Sequence, residues 1–339
     1  MQHNPFLSII IATRNEEKYI GKLLDSIVKQ TYPKQDFEVL IVDGLSKDRT
    51  LEIVNSYKQS LDVKVLSNPK IRAPSAFNLG LDKAIGNYFV IIGAHSYLKE
   101  DFVEESVKTF LKIRKEEPML AAVGGICKDE YESTTAKISS LLYRSSFSGA
   151  RTCRFKKTAH FSDSVIFGLF EKKVVTENGK FDEDFLAAGD DDELTVRLFN
   201  RGYKFFTNPS IISHYYNRSS FTSFLKQTFN YGVAKGFLVR KTRQKPDFSN
   251  LASLSLIPAG FFLYEILVCS VLFIFGFSLW TVLVPFIVYW VFDIGVSLRS
   301  FKLTKARLCL LLPVVYFMFH NILGLSSLLG MMLKKRAFL

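Results

Sequence analysis

The sequence predicts an α/β protein in which a mainly parallel β-sheet is flanked by helices and is followed by transmembrane helices. Two observations predict this class. Short apolar β-rich runs alternate with amphipathic helical patterns in the first part of the chain, as in parallel sheets covered on both faces. From Leu251 onward the chain is mostly apolar. We therefore predict a catalytic domain over residues 1–245 and a membrane domain over residues 251–339.

The strand-helix alternation is clearest near the amino terminus. The predicted strands are Leu7–Ala12, Phe37–Val42, Val63–Leu66 and Tyr88–Ile92, and the predicted helices are Glu16–Gln30, Thr50–Ser60 and Ala73–Ala84. Ligands of parallel sheets bind beyond the carboxyl ends of the strands. The polar segments at those ends, Thr13–Glu16, Asp43–Asp48 and Gly93–Ser96, are therefore the predicted site.

The middle of the chain is less regular. We expect a helix over Asp101–Lys115, an irregular segment from Gly124-Gly125, a strand within Phe161–Phe170 and a strand over Lys204–Thr207. Residues 221–240 form an amphipathic pattern that is rich in aromatic and basic residues. Two interpretations of that helix stay open, a helix in a membrane interface and an ordinary core-facing helix.

Three apolar stretches, residues 251–277, 279–298 and 308–333, are each long enough to span a bilayer. The third is expected to be either a full span or a re-entrant hairpin broken near His320-Asn321 and Gly324. Basic clusters flank the stretches, which favours contact with anionic lipid. Because the amino terminus lacks a signal-peptide pattern, we predict a multi-pass cell-membrane protein with its catalytic domain on the cytoplasmic side.

Composition and missing motifs disfavour several classes of function. Lysine and arginine exceed aspartate and glutamate by 44 − 32 = 12, but no helix-turn-helix, zinc-finger or RNP pattern accompanies that charge, so nucleic acid is not an expected partner. The sequence contains neither GxGxxG after the first strand nor GxxxxGK[ST], which disfavours dinucleotide and P-loop sites. The four cysteines form no CxxC pair, which indicates reduced thiols.

A run of acids, Asp190 to Glu193, opens a helical pattern within FDEDFLAAGDDDELTVR. A structural interpretation makes Asp190 the N-cap and Glu193 its reciprocal partner. Four segments of the chain favour a catalytic role for these acids over a purely structural one. They are SIIIATRNEEKYIGKLLDSIVKQTYP, EVLIVDGLSKDRTLEIV, APSAFNLGLDKAIGNYFVIIGAHS and GKFDEDFLAAGDDDELTVRLFNRGYK. In order and spacing they resemble family 2 glycosyltransferases of the GT-A fold, especially the succinoglycan-type β-glycosyltransferases of exopolysaccharide assembly. The resemblance covers about residues 6–240.

The resemblance implies a nucleotide-sugar site at the strand ends. It assigns nucleotide-sugar contacts to these residues: Ala12, Arg14, Glu16, Val42, Asp43 and Ala94. Gly44 stands where the family often has a second aspartate. For Asp43 and Glu16 the alternative is a purely structural role, as caps of a loop and of a helix.

The resemblance also implies the catalytic groups. Asp191 falls at the general base and Asp190 beside it. Like charges around Asp191 should raise its pKa towards that of a useful base, whereas the helix dipole acts in the opposite direction. Gly93-Ala94-His95 occupies the metal-binding Asp-x-Asp position, so His95 is the expected ligand of Mn²⁺ or Mg²⁺, with imidazole favouring Mn²⁺. A structural histidine is the alternative.

Gln227, Lys226 and Lys235 lie near the family's acceptor region, and we expect them to bind the acceptor. The predicted activity is inverting transfer of a sugar from a nucleotide-sugar to a polyprenyl-diphosphate-linked glycan in surface polysaccharide biosynthesis. Two alternatives stay open: a polyprenyl-phosphate sugar synthase and a catalytically degenerate membrane scaffold. The sequence predicts no oligomeric state.

Overall fold

A computed structural model describes residues 4–148, 155–184, 190–242, 256–276 and 279–333. The chain divides into two compact units. The first comprises the described residues within Met1–Glu130, Cys153–Glu183 and Asp190–Tyr216, and the second comprises the others. The helix that covers most of residues 221–240 therefore groups with the carboxyl-terminal helices, whereas the sequence placed the domain boundary after residue 245.

Half of the sheet in the first unit is parallel. Its strands are β1 (Leu7–Thr13), β2 (Phe37–Asp43), β3 (Val63–Ser67) and β4 (Tyr88–Gly93), and the helices between them are α1 (Ile20–Val28), α2 (Thr50–Ser56) and α3 (Ala73–Lys83). The strands pair in the order β3-β2-β1-β4. This is the predicted alternation, and the two central strands β1 and β2 are buried on both faces, as is typical of parallel sheets.

The other half of the sheet is mixed. Its strands are β5 (Ser96–Leu98), β6 (Leu120–Glu130), β7 (His160–Ser162), β8 (Leu169–Glu171) and β9 (Lys204–Tyr216), with helices α4 (Phe102–Glu116), α6 (Lys172–Glu177) and α7 (Asp190–Phe199). The pairing continues from β4 as β8-β6-β9-β5, and β7 pairs with β9. The fold is thus mainly parallel near its amino terminus and mixed beyond it.

Three predictions for the mixed half were wrong. Gly124 and Gly125 lie inside the strand β6, not in an irregular segment, and the single strand expected within residues 161–170 is two short ones. The last strand, β9, extends nine residues beyond Thr207, to Tyr216. A Cβ atom on Gly125 would lie 1.8 Å from the Ile211 carbonyl oxygen, so glycine there permits the close approach of β6 and β9.

Apolar side chains of β1 and β2 alternate between two hydrophobic clusters, one on each face of the sheet. Ile9 and Ile11 belong to the cluster that includes Leu23 and Leu24 of α1. Ile10 belongs to the cluster on the other face, with Ala76 and Leu81 of α3. The helices α1 and α3 therefore cover opposite faces of the sheet, and β1 and β2 are buried between them.

The second unit is helical. Its helices are α5 (Thr134–Tyr143), α8 (Phe221–Thr242), α9 (Leu256–Phe275), α10 (Leu279–Thr304) and α11 (Leu312–Met332). Small residues bring α8 and α11 close: Cβ atoms on Gly232 and Gly236 would lie 1.8 Å from Ser326 Oγ and 1.9 Å from the Ser327 carbonyl oxygen. Such contacts are typical of tightly packed helices. One face of α8 is thus packed against α11, and the choice between the two interpretations of this helix stays a prediction.

Among the described residues, one helix, Arg307–Met332, is long and apolar enough to cross a membrane. Within it, α11 runs without a break through His320, Asn321 and Gly324, so the structure has a continuous helix where a re-entrant hairpin was one alternative. Leu267 of α9 and Val288 of α10 are each 62% exposed, which is typical of surfaces that face lipid. The number of spans stays a prediction.

Candidate active site

The predicted strand-end residues lie along one edge of the parallel half. Ala12 of β1 is level with Val42 of β2 on one side and with Gly93 of β4 on the other, and Thr13 is level with Asp43. Because β1, β2 and β4 are parallel, their following loops all leave at this edge. The structure therefore brings together, from three separate segments, residues that the sequence predicts to bind a nucleotide-sugar.

The loops after β1 and β2 are hydrogen-bonded to each other. Asn15 has a φ of 53°, a left-handed conformation that asparagine tolerates better than most residues. Its N–H donates to Ser46 Oγ at 2.9 Å, and its side-chain oxygen accepts from the Lys47 N–H at 2.8 Å. The Glu16 N–H donates to Thr50 Oγ1 at 2.8 Å. These bonds fix the backbone that carries Arg14, which is exposed, and Glu16.

Asp43 at the end of β2 is 4% exposed. Its carboxylate accepts from the Ser46 N–H at 3.0 Å and from the Ser46 hydroxyl at 2.5 Å. This is an Asx-type turn, so the loop-capping role that the sequence left open is present. A contact between Asp43 and a nucleoside stays a proposal.

His95 lies just beyond β4 and joins the two halves of the sheet. Its Nδ1 is 3.1 Å from Glu16 Oε1, and its Nε2 is 2.9 Å from the Tyr215 hydroxyl at the end of β9. The Tyr216 N–H donates to the His95 carbonyl at 3.1 Å. The side chains of His95 and Glu16 are 18% and 20% exposed, so both are largely enclosed and still reachable from solvent.

Tyr215 was not among the site residues predicted from the sequence. The run SIISHYY is rich in β-branched and aromatic residues, which favours a strand, and this signal could have extended the predicted strand to Tyr215. The contact with His95 could not have been found that way, because 120 positions separate the two residues.

A second polar cluster lies on the neighbouring strands of the mixed half. Glu130 accepts from the Tyr97 hydroxyl at 2.7 Å and lies 2.8 Å from His214 Nδ1. The rings of Tyr97 and His214 stack at 4.3 Å, and the Lys22 ammonium lies 4.0 Å from the Tyr97 ring centroid. Burial alone would raise the pKa of Glu130, but hydrogen bonds from Tyr97 and His214 and the nearby positive charges hold it below its ordinary value.

The Asp-x-Asp motif of the family that the sequence resembles implies a divalent ion at this position. Gly93 and Ala94 offer no side-chain ligand, whereas His95 offers an imidazole and Glu16 beside it offers a carboxylate. Within the described part of the chain there is no group of three or more His, Cys, Asp or Glu residues able to hold a metal. One carboxylate and one imidazole fit Mn²⁺ better than Mg²⁺, provided that substrate phosphate completes the shell.

The acidic helix α7 begins at Asp190. The side chains of Asp190 and Asp191 lie outside the described residues, so their predicted catalytic roles stay proposals. Glu193 makes a two-point ion pair with Arg197, at 3.0 and 2.9 Å. Arg197 also donates to the Lys180 carbonyl at 2.5 Å, which ties α7 to the segment that precedes it.

That preceding segment is also held by α3. The Asn78 side chain accepts from the Phe181 N–H at 2.9 Å and donates to the Phe181 carbonyl at 2.9 Å. A half-buried amide that binds both backbone groups of one residue fixes the backbone there. The approach to the acidic helix is therefore positioned from two sides, by Asn78 and by Arg197.

The predicted acceptor residues lie on α8 in the second unit. Lys226 is exposed and Lys235 is half-buried. Gln227 donates to the Tyr231 hydroxyl at 3.3 Å, one helical turn along. Their role in acceptor binding stays a proposal.

The fold defines the structural class of the protein, the GT-A fold. A mannosyltransferase from Pyrobaculum calidifontis, solved with GDP-Man and Mn²⁺, superposes with a TM-score of 0.67 at 17% identity, over 98% of this chain and 88% of that one. At that identity the likeness shows the fold, and it confirms the predicted GT-A class.

The sequence comparisons define the family. Residues 8–175 match the family described as Glycosyl transferase family 2. A dolichyl N-acetyl-α-D-glucosaminyl phosphate 3-β-D-2,3-diacetamido-2,3-dideoxy-β-D-glucuronosyltransferase from Methanococcus voltae is 35% identical over 333 residues, 96% of this chain and 97% of that one. The succinoglycan biosynthesis protein ExoA from Rhizobium meliloti is 27% identical over 261 residues, 75% of this chain and 76% of that one. The chain belongs to glycosyl transferase family 2 and is a glycosyltransferase.

Proposed function

We propose that this glycosyltransferase moves a sugar, with inversion, from a nucleotide-sugar to a sugar already linked through phosphate to a polyprenyl lipid. It would act at the cytoplasmic face of the cell membrane in the biosynthesis of a surface glycan. The observation that carries the proposal is the 35% identity, over nearly the full length of both chains, with a relative whose name specifies a dolichyl-phosphate-linked acceptor.

The apolar helices support the lipid part of the proposal. A polyprenyl-linked acceptor stays in the bilayer, so an enzyme anchored there meets it by diffusion in two dimensions. The Arg307–Met332 helix is suitable as an anchor by length and apolarity. The basic residues in the last turn of α10 and between α10 and α11, Lys302, Lys305 and Arg307, suit the anionic cytoplasmic leaflet.

The strand-edge loops support the donor part. Ala12, Val42 and Asp43 would line the nucleoside, and the exposed guanidinium of Arg14 would face its phosphates. Glu16 would contact the nucleotide-sugar, and His95 would hold Mn²⁺ or Mg²⁺, which when bound neutralises negative charge on a diphosphate leaving group. The interlocked backbone of the two loops preorganises these contacts, so little ordering cost remains on binding.

The chemical step assigned to this chain is proton removal. The Asp191 carboxylate accepts the proton of the acceptor hydroxyl while that oxygen forms a bond to the anomeric carbon. The bond from the anomeric carbon to the diphosphate oxygen breaks, and the nucleoside diphosphate leaves with the electron pair. Because attack and departure occur on opposite faces, the anomeric configuration inverts. Asp190 would keep negative charge beside the base.

Product analysis tests the proposal. The full chain in nanodiscs is incubated with a panel of nucleotide-sugars and one of three lipids. The lipids are polyprenyl phosphate, N-acetylglucosamine linked to polyprenol through one phosphate, and N-acetylglucosamine linked to polyprenol through a diphosphate. We expect extension of a sugar-bearing lipid, with the inverted linkage by NMR. Asp191→Asn should reduce turnover by at least about a hundredfold, whereas Asp192→Asn, which removes the same charge one residue later, should retain most of it.

The alternatives predict other products. Sugar transfer to bare polyprenyl phosphate alone would identify a polyprenyl-phosphate sugar synthase and would contradict the proposal. Absence of transfer and of donor hydrolysis with every donor would favour a catalytically degenerate scaffold. A retained anomeric configuration would exclude the inverting step.

A further inference from the structure

We propose that Glu16, from the loop after β1, is the second protein ligand of the divalent ion and replaces the carboxylate that the Gly93-Ala94-His95 segment lacks. The inference deepens the proposed function, on which it rests, because the ion would bind the diphosphate of the donor. The first observation is chemical. Gly93 and Ala94 carry no side-chain ligand atom, and the carboxylate beside His95 comes from the loop after β1, 79 positions away in the chain.

The second observation is a distance. Glu16 Oε1 and His95 Nδ1 are 3.1 Å apart. In an octahedral shell with ligand atoms about 2.1 Å from the ion, neighbouring ligand atoms lie about 3.0 Å apart. That separation is the length of an ordinary hydrogen bond and is also close to the distance between two adjacent ligands. An ion about 2.1 Å from both atoms would lie to one side of the line that joins them and would replace the hydrogen bond once the Glu16 side chain turns towards it.

The third observation is the partner of the other imidazole nitrogen. His95 Nε2 lies 2.9 Å from the Tyr215 hydroxyl. A metal-binding histidine usually donates its remaining N–H to an oxygen, which fixes the tautomer and the ring orientation. With the ion on Nδ1, the Nε2–H would donate to Tyr215. Without it, the tyrosine hydroxyl donates to Nε2 and Nδ1–H donates to Glu16. Tyr215 serves both states because a phenol both donates and accepts.

The fourth observation is that a hydrogen bond to the backbone holds each of the two ligand residues in place. The Glu16 N–H is held by Thr50 Oγ1 at 2.8 Å, and the His95 carbonyl is held by the Tyr216 N–H at 3.1 Å. Two protein ligands leave most of the coordination shell of the divalent ion open. Ions of this kind in transferases are commonly bound through one or two protein groups together with substrate phosphates and water. The site would thus bind an ion well only together with a diphosphate.

The test uses Mn²⁺ with pyrophosphate and the full-length protein. Electron spin-echo envelope modulation detects the ¹⁴N nucleus of an imidazole bound to Mn²⁺, and titration of the free Mn²⁺ signal measures affinity. We expect the ¹⁴N modulation in the wild type and its loss in His95→Ala. We expect Glu16→Ala to weaken Mn²⁺ binding by more than about tenfold, and Tyr215→Phe by about tenfold.

Glu17→Ala is the matched control. Glu17 follows Glu16 directly, is exposed, and binds the Arg49 N–H at 3.0 Å, so its loss should leave Mn²⁺ binding unchanged. Circular dichroism and thermal unfolding check that each variant folds. Near-equal affinity in wild type and Glu16→Ala, or ¹⁴N modulation that survives in His95→Ala, would overturn the inference.

The two proposals fail in different ways. Mn²⁺ binding that depends on Glu16, without transfer to any polyprenyl-linked acceptor, would refute the proposed acceptor and leave the metal site intact. Transfer that proceeds in the wild type with Mn²⁺ affinity independent of Glu16 would refute the ligand assignment alone.

Discussion

The two halves of the sheet hold the candidate site in different ways. In the parallel half, backbone N–H groups of one loop bind side chains of the next, as Asn15 and Glu16 bind Ser46 and Thr50. In the mixed half, side chains bind side chains, as Tyr97 and His214 bind Glu130. His95 contacts both halves, through Glu16 on one nitrogen and Tyr215 on the other.

The difference shows how each half of the sheet positions its polar residues. Parallel strands end at a common edge, so a short loop after each strand suffices to gather polar groups. The mixed half must bring β6 and β9 together from distant parts of the chain, and it relies on close backbone approach. A substitution that prevents the close approach of β6 and β9 should unfold the whole mixed half. Loss of one hydrogen bond between the loops after β1 and β2 should affect only that edge of the parallel half.

The largest expected effect is on Gly125. A Cβ atom there would lie 1.8 Å from the Ile211 carbonyl oxygen, and backbone cannot move aside as a flexible side chain can. We expect Gly125→Val to destabilise the protein by roughly 3 kcal/mol or more, measured by urea unfolding or as loss of folded protein. Gly21→Ala is the control, because its Cβ would meet only ordinary contacts at 3.6 Å or more. Equal stability of both variants would contradict the proposed role of close approach.

A smaller effect is expected at Glu38 in the parallel half, whose side chain is fully buried. It accepts from Ser8 Oγ, from the Ile85 N–H and from Lys64 Nζ, at 2.7, 2.7 and 2.8 Å. Burial alone would raise the pKa of Glu38, but these hydrogen bonds and the Lys64 charge outweigh it and lower the pKa. Glu38→Gln should therefore cost about 2 kcal/mol at pH 7.

The pH dependence checks that explanation. Because the folded pKa of Glu38 is lowered, its contribution is complete above the unfolded value of about 4.3 and is lost as the pH falls through the folded value. The free energies of unfolding of wild type and Glu38→Gln should therefore converge below about pH 4. Exposed Glu52, paired with Arg49, is the control, and Glu52→Gln should change neither the stability nor its pH dependence measurably. A constant gap down to low pH would argue for a packing effect instead.

The smallest expected effect is at Ser46, whose hydroxyl donates to Asp43 and accepts from the Asn15 N–H. Ser46→Ala removes both bonds but keeps the Ser46 N–H bond to Asp43, so we expect about 1 kcal/mol of lost stability. Donor affinity should fall more than stability, because the loops lose preorganisation. Ser56→Ala, at an exposed helix position, is the control. Unchanged nucleotide affinity in Ser46→Ala would show that the loop does not need this bond.

The parallel half could be predicted almost completely. Its four strands and three helices match the predicted ones with shifts mainly at the helix ends, because each strand is a short apolar run followed by polar residues. The mixed half could not. The glycines of β6 carry no local strand signal, and the pairing of Cys127 with Ser213 joins residues that are far apart in the sequence. Only burial between distant segments determines that pairing.

The candidate site divides in the same way. The sequence placed Ala12, Val42, Asp43 and His95 at strand ends, and the structure brings these positions to one edge. It did not reveal that Glu16 and Tyr215 lie on either side of the His95 ring. It also left the roles of Asp190 and Asp191 to the resemblance, and those roles stay predictions.

By itself, the sequence determined the α/β class, the family, the strand ends and the apolar carboxyl-terminal region, since these depend on local periodicity and on motifs within short segments. Only the tertiary structure decided the partners of His95 and the clamps on the segment before α7. Those contacts join residues up to 120 positions apart. No local pattern encodes them, because they form only when distant strands are buried against each other in one sheet.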